Sequence, residues 1–416
     1  MRVLWLCNLI IPFFADEFGV KSNVYGGWMT GMLTNLPQED FVIGLCFPII
    51  DESRKKDGIK EGYYYFSYSA DYDASEYDEI GEKIEGEFEQ IINSFNPDVI
   101  HVWGTEYVHS YAMLKAATKC DLADHLLFHI QGLVSECWKY YLEGVPEEYL
   151  INDTKSLYDD FLNMKKRGEI EKCCLDYGKN FIGRTDWDKA HVIFRNPKAN
   201  YYYCGEILRP EFYSAARWEP TDLPPVIFMS QGTYPIKGVH YALEAISLLK
   251  NKYPMIELHI SGEDVINVEV KTPYAEYICE LIKENGLEDN VLYIGKLSAE
   301  EMVKKLKDSS VYLIASTIEN SPNSLSEAMM IGVPVIAAAV GGIPSIIRNE
   351  SEGILYQFND SYMLALKISE ILENQRHQTE LSYNEQLRAR SFNSISENRE
   401  CLISIYNRIM NGNGDK

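Results

Sequence analysis

Positive charge is scarce in this sequence. Its 416 residues include 39 Lys and Arg against 62 Asp and Glu, so the formal net charge is -23. Proteins that bind nucleic acid or anionic lipid usually neutralise phosphates with Lys and Arg. We therefore expect no nucleic-acid partner, and a membrane contact that is at most peripheral. Any phosphate-bearing ligand needs a local site.

Cysteine spacing offers neither a disulfide framework nor a zinc ribbon. The nine cysteines are odd in number, Cys173 and Cys174 are adjacent, and no C-x-x-C occurs. Disulfide scaffolds and zinc sites use even or paired spacings. We expect reduced thiols and a cytoplasmic protein, with the inner face of the membrane as the alternative location.

Long hydrophobic runs are also missing. Residues 3–14 follow Arg2 and are largely apolar, but Asn8 and Pro12 interrupt them and no small-x-small cleavage site follows. The other apolar run, 333–340, falls well short of the ~18 residues that span a bilayer. We expect residues 3–7 to form a buried first strand rather than a signal peptide.

Metal-binding patterns are weak. Asp71-x-Asp73 follows a Tyr-rich loop, and Asp186-x-Asp188 is better interpreted as a helix start, where acids favour the positive end of the helix dipole. No His or Cys cluster has ligand spacing. We expect neither a metal nor another cofactor.

The sequence does contain short apolar strands that alternate with helical patterns, which predicts an α/β fold with parallel sheets covered on both faces. In the first half the predicted strands are 3–7, 41–46, 99–102, 126–130 and 191–194. A Pro-rich segment, 214–225, is predicted as a linker, and the pattern then restarts. We expect an N-terminal Rossmann-like domain at 1–215, a C-terminal one at 216–385, and a helical tail at 386–416 that can return to the first domain.

A Tyr-rich segment, 62–79, has two interpretations. It suits an exposed strand and loop covering the N-terminal sheet, because Tyr favours a half-buried pleat. The alternative is an aromatic platform for a sugar ring.

The strongest motif lies between 318 and 342. Glu319 and Glu327 flank a predicted loop-to-helix turn, and Gly332-Val-Pro-Val and Gly341-Gly342 follow. Unpaired N–H groups at a helix start can bind a diphosphate, and a carboxylate can accept hydrogen bonds from two ribose hydroxyls. The alternative is that both acids only favour the helix start.

This Glu-x7-Glu motif, with Ala328-Met329, Gly332-x-Pro-Val and Gly341-Gly342, resembles the retaining GT-B glycosyltransferases of family 4. The resemblance is close from about 226 to 356 and thinner across the N-terminal half. It implies two Rossmann-like domains facing each other across a cleft, and a metal-independent hexosyltransferase.

The resemblance also implies roles for individual residues. Lys237, Glu319 and His129 are expected at the reaction centre, where Lys237 binds the diphosphate and the other two contact the donor sugar. The expected donor-binding residues are Gly26, Gly27, Arg184, Asn323, Ser324, Leu325 and Glu327. Gly26 and Gly27 belong to Tyr25-Gly26-Gly27, which corresponds to the family's glycine loop.

One family feature is missing. The Arg that usually precedes the diphosphate-binding Lys by five or six residues is replaced here by Gly232 and Gln231. A charge-assisted hydrogen bond is roughly twice as strong as a neutral one, so another cation is expected to compensate. Arg184 is the candidate substitute, and a surface or packing role is its alternative.

The expected function is transfer of a sugar from a nucleoside diphosphate sugar to an acceptor hydroxyl, in surface polysaccharide or glycoconjugate assembly. The acceptor can be a glycan, a lipid-linked intermediate or a small molecule. Two alternatives stay open: a nucleotide-sugar epimerase or glycan phosphorylase of the same architecture, and a non-catalytic nucleotide or glycan binding module.

Overall fold

The computed structural model describes residues 1–21, 26–71, 74, 76–221 and 223–412. The chain divides into two compact units. Unit 1 comprises residues 1–138, 163–207 and 394–416, and unit 2 comprises 139–162 and 208–393. Unit 1 therefore contains the chain's first strand and its last helix.

Within the described residues, unit 1 is built on an eight-stranded sheet. Its strands are β1 (Arg2–Leu6), β2 (Val42–Ile49), β3 (Gly58–Lys60), β4 (Tyr63–Ser69), β5 (Val99–Trp103), β6 (Leu126–His129), β7 (Asn180–Gly183) and β8 (Asn200–Tyr203). Their order in the sheet is β3-β4-β2-β1-β5-β6-β7-β8. All pairs are parallel except β3 with β4.

Helices surround this sheet and bury their apolar faces against it. They are α1 (Gly27–Asn35), α2 (Glu79–Phe95), α3 (Val108–Lys119), α4 (Val134–Cys137), α5 (Leu157–Tyr177), whose first six residues belong to unit 2, and α6 (Asp186–Arg195). The fully buried strands β5 and β6 lie at the centre, as expected for a parallel sheet covered on both faces.

Unit 2 has a six-stranded parallel sheet within the described residues. Its strands are β9 (Val226–Met229), β10 (Glu257–Ile260), β11 (Val291–Tyr293), β12 (Val311–Ile314), β13 (Val335–Ala338) and β14 (Ile354–Tyr356), in the order β11-β10-β9-β12-β13-β14. Its helices are α7 (Pro210–Ser214), α8 (Val239–Leu249), α9 (Pro273–Glu284), α10 (Ala299–Lys307), α11 (Asn323–Ile331), α12 (Ile343–Ile346), α13 (Ser361–Glu373) and α14 (Gln375–Phe392). The predicted α/β class with two parallel-sheet units is confirmed.

The last helix of the chain, α15 (Ile395–Met410), lies in unit 1. Its Tyr406 side chain is fully buried, and the Tyr406 hydroxyl accepts a hydrogen bond from the Trp5 indole of β1 at 3.0 Å. The same hydroxyl is 2.6 Å from His101 Nδ1 on β5. The C-terminal helix is thereby fixed to two central strands of the unit 1 sheet.

The predicted strand at 191–194 is wrong. These residues belong to α6, which Thr185 caps by accepting a hydrogen bond from the Asp188 N–H at 3.1 Å. The helix start predicted at Asp186 is correct, and the cap outweighs the β-branched run that follows, leaving Phe194 83% exposed. The strands in this region are β7 and β8, and β8 was not predicted.

The Tyr-rich segment contains a true sheet strand, β4, hydrogen-bonded between β3 and β2. Tyr63, Tyr65 and Tyr68 are buried, and the Tyr68 hydroxyl donates to the Cys7 carbonyl at 3.0 Å. These three rings are therefore core groups and not an exposed platform. Tyr72 and Asp73, and with Asp73 one half of Asp71-x-Asp73, lie outside the described residues.

Candidate functional site

The Lys237 ammonium and the Glu319 carboxylate form an ion pair in unit 2. Lys237 Nζ donates to Glu319 Oε1 at 2.5 Å, and the Ser316 hydroxyl donates to the same oxygen at 2.8 Å. No described residue hydrogen-bonds Glu319 Oε2. The second carboxylate oxygen can therefore accept further hydrogen bonds.

Backbone contacts fix the loop that carries Lys237 against the loop that carries Glu319. The Thr317 N–H donates to the Ile236 carbonyl at 2.9 Å. Gly238 has φ +68°, and a Cβ there would lie 2.0 Å from the Ala315 carbonyl oxygen. Only glycine allows the two loops to approach so closely.

The Gly-Gly pair of the motif supports Glu319 in the same way. Gly341 has φ +49°, and a Cβ there would lie 2.0 Å from the Glu319 carbonyl oxygen. The Gly342 N–H donates to that oxygen at 2.9 Å. Gly341 and Gly342 therefore set the backbone position of Glu319, about twenty residues before them.

Helix α11 begins at Asn323, so the motif residues Asn323, Ser324 and Leu325 form its first turn, as predicted. Leu325 is fully buried, whereas Ser324 lines one recess together with Lys237 and Glu319. The first N–H groups of a helix lack intrahelical acceptors and bear the positive end of the dipole. The recess thus combines a helix N-terminus with a lysine.

Glu327 lies in the second turn of α11 and is held by an arginine that the sequence did not indicate. Arg209 Nε donates to Glu327 Oε1, and Arg209 Nη2 donates to Oε2, both at 2.9 Å. Burial raises the pKa of Glu327 to about 7 although Arg209 opposes the shift. Arg209 precedes Glu327 by 118 residues, and no local pattern links them.

His129 lies in unit 1, at the end of β6, and its side chain is fully buried. Its ring stacks on Trp103 and on His101, with centroids 4.5 and 5.4 Å apart. Burial lowers the pKa of His129 well below its usual value, so the ring is neutral at pH 7. His129 Nε2 is 3.7 Å from Glu206 Oε1.

Arg184 lies near His129 in unit 1 and is 2% exposed. Its Nη1 is 2.7 Å from Glu206 Oε2, while Gln131 Nε2 donates to Glu206 Oε1 at 2.8 Å. The guanidinium is thus already paired with a buried carboxylate. A donor-site role for Arg184 stays a prediction.

Gly26 and Gly27 begin α1 in unit 1. Gly26 has φ +78°, and a Cβ there would lie 2.8 Å from Leu9 Cδ1, so the position suits glycine. Tyr25 lies outside the described residues.

The structure therefore groups the sequence-predicted residues within each unit. Lys237, Glu319 and Ser324 meet in unit 2, with Glu327 farther along the same helix, while His129 and Arg184 meet in unit 1. Ser316 and Arg209 are the partners that the sequence reasoning missed. Ser316 was open to detection, because it precedes Glu319 by three residues in the same loop.

The described residues offer neither a cluster for a metal ion nor a helix that could span a membrane. No group of three or more His, Cys, Asp or Glu side chains there is arranged to hold a metal ion. None of the helices in that part of the chain is both long and apolar enough to cross a membrane.

Comparison with known sequences finds a family whose model matches part of the chain. The model of the family Glycosyl transferases group 1 matches residues 215–388. The putative colanic acid biosynthesis glycosyltransferase WcaL of Salmonella typhimurium is 28% identical over 181 residues, 42% of this chain and 42% of WcaL. The amylovoran biosynthesis glycosyltransferase AmsK of Erwinia amylovora is 30% identical over 135 residues, 31% of each chain. The match thus spans less than half the length of these curated relatives.

Comparison with solved structures extends over both units. Sucrose-phosphate synthase from Thermosynechococcus elongatus has a TM-score of 0.72 at 15% identity, covering 99% of both chains. Anabaena Alr3699/HepE, solved in complex with UDP-glucose, has a TM-score of 0.61 at 14% identity, covering 98% of this chain and all of that one. At such identities the likeness concerns the fold. The chain therefore has the predicted GT-B fold, and its residues 215–388 match the model of the glycosyl transferases group 1 family.

Proposed function

We propose that the protein is a retaining glycosyltransferase that moves a sugar from a nucleoside diphosphate sugar to an acceptor hydroxyl. The observation that carries this proposal is the arrangement of Lys237, Glu319 and the start of α11 around one recess of unit 2. A lysine and a helix N-terminus suit a diphosphate, and a carboxylate with a free oxygen suits sugar hydroxyls.

Lys237 binds the diphosphate in this proposal. Its ammonium has three donors, so it can keep its hydrogen bond to Glu319 while it contacts phosphate oxygens. Negative charge grows on the diphosphate as the glycosidic bond breaks, and a cation fixed beforehand stabilises that charge. The contact between the two loops around Gly238 provides this fixed position.

Glu327 binds the ribose. Its two oxygens accept from Arg209 and keep further lone pairs for the 2′ and 3′ hydroxyls. Arg209 favours the ionised form of Glu327, which accepts hydrogen bonds more strongly than the neutral acid. Arg209 then contributes to the donor site indirectly, through Glu327.

The acceptor belongs to exopolysaccharide or glycoconjugate assembly in this proposal, because WcaL and AmsK are named for colanic acid and amylovoran biosynthesis. UDP is the first nucleotide to test, since the Anabaena structures are complexes with UDP and with UDP-glucose. Retention follows if the acceptor hydroxyl attacks the anomeric carbon on the face from which the diphosphate departs, while the leaving phosphate takes the acceptor's proton.

The test is a screen of UDP, GDP and ADP and their glucose esters by thermal shift, followed by incubation of the stabilising sugar nucleotide with the protein. Binding raises the unfolding temperature with the logarithm of ligand concentration. A retaining transferase slowly hydrolyses the sugar nucleotide even without acceptor. This reaction releases the nucleoside diphosphate, and NMR shows the α-anomer of the free sugar first. An epimerase yields a new nucleotide sugar, and a binding module yields neither. Either of these last two results contradicts the proposal.

A further inference from the structure

Two cysteines of unit 1 face each other between β8 and α15. Cys204 directly follows β8, and Cys401 lies in the second turn of α15. The two thiols lie close enough for each to shift the pKa of the other. They are 197 residues apart in sequence, so no local cysteine spacing links them.

Other contacts show the same proximity. Cys204 Sγ lies 3.6 Å from the carbonyl oxygen of Asn398, one turn before Cys401 on α15. Cys401 Sγ lies 3.2 Å from the carbonyl oxygen of Tyr203, the residue before Cys204. Each sulfur thus reaches the backbone beside the other, and the Gly205 N–H donates to Asn398 Oδ1 at 3.2 Å between the same segments.

We propose that Cys204 and Cys401 are a thiol oxidation site, in which the two cysteines form a disulfide with each other by exchange with a low-molecular-weight disulfide such as glutathione disulfide. Cys401 is the attacking thiol, because it is partly exposed while Cys204 is buried. The neighbouring Cys204 thiol lowers the pKa of Cys401 below its usual value, and Arg408 on the same helix adds to this. A thiol with a pKa near the ambient pH is the most effective attacker.

The reaction balances in two exchange steps. The Cys401 thiolate attacks one sulfur of glutathione disulfide, forms a mixed disulfide and releases one glutathione thiolate. The Cys204 thiol then gives up its proton and attacks Cys401 Sγ, releasing the second glutathione. Two cysteine thiols are oxidised, and one glutathione disulfide is reduced to two thiols.

This disulfide joins the segment before residue 207, where the chain leaves unit 1 for the second time, to the segment after residue 394, where it returns. Cys204 lies three residues before the chain leaves that unit, and Cys401 lies seven residues after it returns. A cross-link that closes so long a loop restricts the unfolded chain strongly. Oxidation is therefore expected to raise the unfolding temperature of the protein, with reversal by dithiothreitol.

The test uses the full chain with glutathione disulfide, followed by alkylation of free thiols in denaturant and peptide mapping. We expect a Cys204–Cys401 cross-link about tenfold more abundant than any other cysteine pair. Cys204→Ala should leave Cys401 with a stable glutathione adduct, and Cys401→Ser should leave Cys204 unmodified. Cys279→Ser, a partly exposed cysteine on α9, is the matched control and should leave the cross-link unchanged.

Two outcomes would overturn the proposal. In one, Cys204 and Cys401 stay alkylatable when Cys279 has been glutathionylated. In the other, the wild-type protein keeps a glutathione adduct on Cys401 that Cys204 never displaces. Because both readouts are made on the wild-type chain, they hold even if the buried Cys204→Ala variant folds poorly, and neither depends on the glycosyltransferase activity.

Discussion

Lys237 is the residue on which the proposed chemistry depends most. Its only described side-chain partner is Glu319, so replacing it removes both the cation of the recess and the contact that holds this carboxylate. Two loops meet around it through backbone contacts that do not involve the lysine side chain. Loss of the side chain should therefore affect catalysis far more than folding.

We predict that Lys237→Ala lowers kcat by about 10²–10³, the range found for loss of one preorganised transition-state donor. Steady-state release of the nucleoside diphosphate measures the effect, and the unfolding temperature checks that the variant is folded. Lys252→Ala, which removes an exposed ion pair with Glu373 in the same unit, is the control and should keep full activity. A Lys237→Ala enzyme with near-normal turnover would exclude the proposed role.

Glu327 gives a second prediction, on pH. Its pKa of about 7 lies above the usual 4.5, so the carboxyl is increasingly protonated as the pH falls through 7. Affinity for the donor should then fall by up to about tenfold per pH unit below 7, as far as the ribose requires the ionised form. Titration calorimetry with a nucleotide sugar measures this, because the diphosphate of such a donor does not itself titrate there. Glu327→Gln should bind weakly without this pH dependence.

Arg209 should control that dependence. Removing the guanidinium takes away the opposite charge beside a buried carboxylate, and such a charge moves a carboxyl pKa by about 1–3 units. Arg209→Ala is thus expected to shift the midpoint of donor binding upward by this amount, and Arg209→Lys by less. The control is Arg217→Ala, whose guanidinium lies over the Tyr383 ring in the same unit. An unchanged midpoint in Arg209→Ala would show that Arg209 does not act through Glu327.

At the scale of elements, two glycines hold the site loops together. Gly238 and Gly341 both have positive φ, and each lies against a carbonyl oxygen that a Cβ would meet at 2.0 Å. Gly295 also has positive φ, +77°, but nothing lies within 4 Å of its Cβ position. An alanine at Gly295 would therefore suffer only backbone strain, whereas an alanine at Gly238 or Gly341 would also collide with a carbonyl oxygen.

We predict that Gly295→Ala costs about 1 kcal/mol of unfolding free energy, the usual penalty of the left-handed conformation. Gly238→Ala and Gly341→Ala should cost clearly more, and should also weaken donor binding because they separate the loops that carry Lys237 and Glu319. Denaturant unfolding and calorimetry on the three variants make the comparison. Equal losses of unfolding free energy at all three positions would mean that the loops carrying Lys237 and Glu319 can separate without destabilising the protein.

The elements also show what the sequence could and could not predict. Strands β9, β12 and β13 and the start of α11 were predictable, because buried strands and a helix start have strong local patterns. The helix at 186–195 was misassigned in its second half, since a β-branched run looked like a strand and the cap at Thr185 decided otherwise. The Arg209–Glu327 pair could not be predicted, because it joins residues 118 positions apart without any periodic signal.

At the scale of the molecule, buried histidines and buried glutamates have opposite effects on how the stability of the protein depends on pH. Burial lowers the pKa of four histidines and raises that of four glutamates: His101, His109, His129, His240, Glu106, Glu171, Glu327 and Glu385. A buried histidine with a lowered pKa makes the folded protein less stable as the pH falls below 6.5, because the unfolded chain then binds a proton that the folded chain does not. A buried glutamate with a raised pKa makes the folded protein more stable as the pH falls toward 4.5, because the folded chain then binds a proton that the unfolded chain does not.

We therefore predict little net change in stability from this set between pH 6.5 and 4.5, the usual values of the two groups. Below 4.5 the glutamates add nothing further, and each histidine still costs about 1.4 kcal/mol per pH unit until the pH reaches its own lowered pKa, which is about 4 for His240 and about 3 for His101. Denaturant midpoints over this range test the prediction, and His109→Gln should flatten the acid limb. A steep loss that already begins at 6.5 would contradict it.

The proposed donor site is tested most directly by a crystal structure with the nucleoside diphosphate that the thermal-shift screen selects. We expect the diphosphate within hydrogen-bonding distance of Lys237 Nζ and the first turn of α11, with both ribose hydroxyls on the Glu327 carboxylate and Arg209 still paired with it. A nucleotide bound elsewhere, with the Lys237–Glu319 recess empty, would exclude this site.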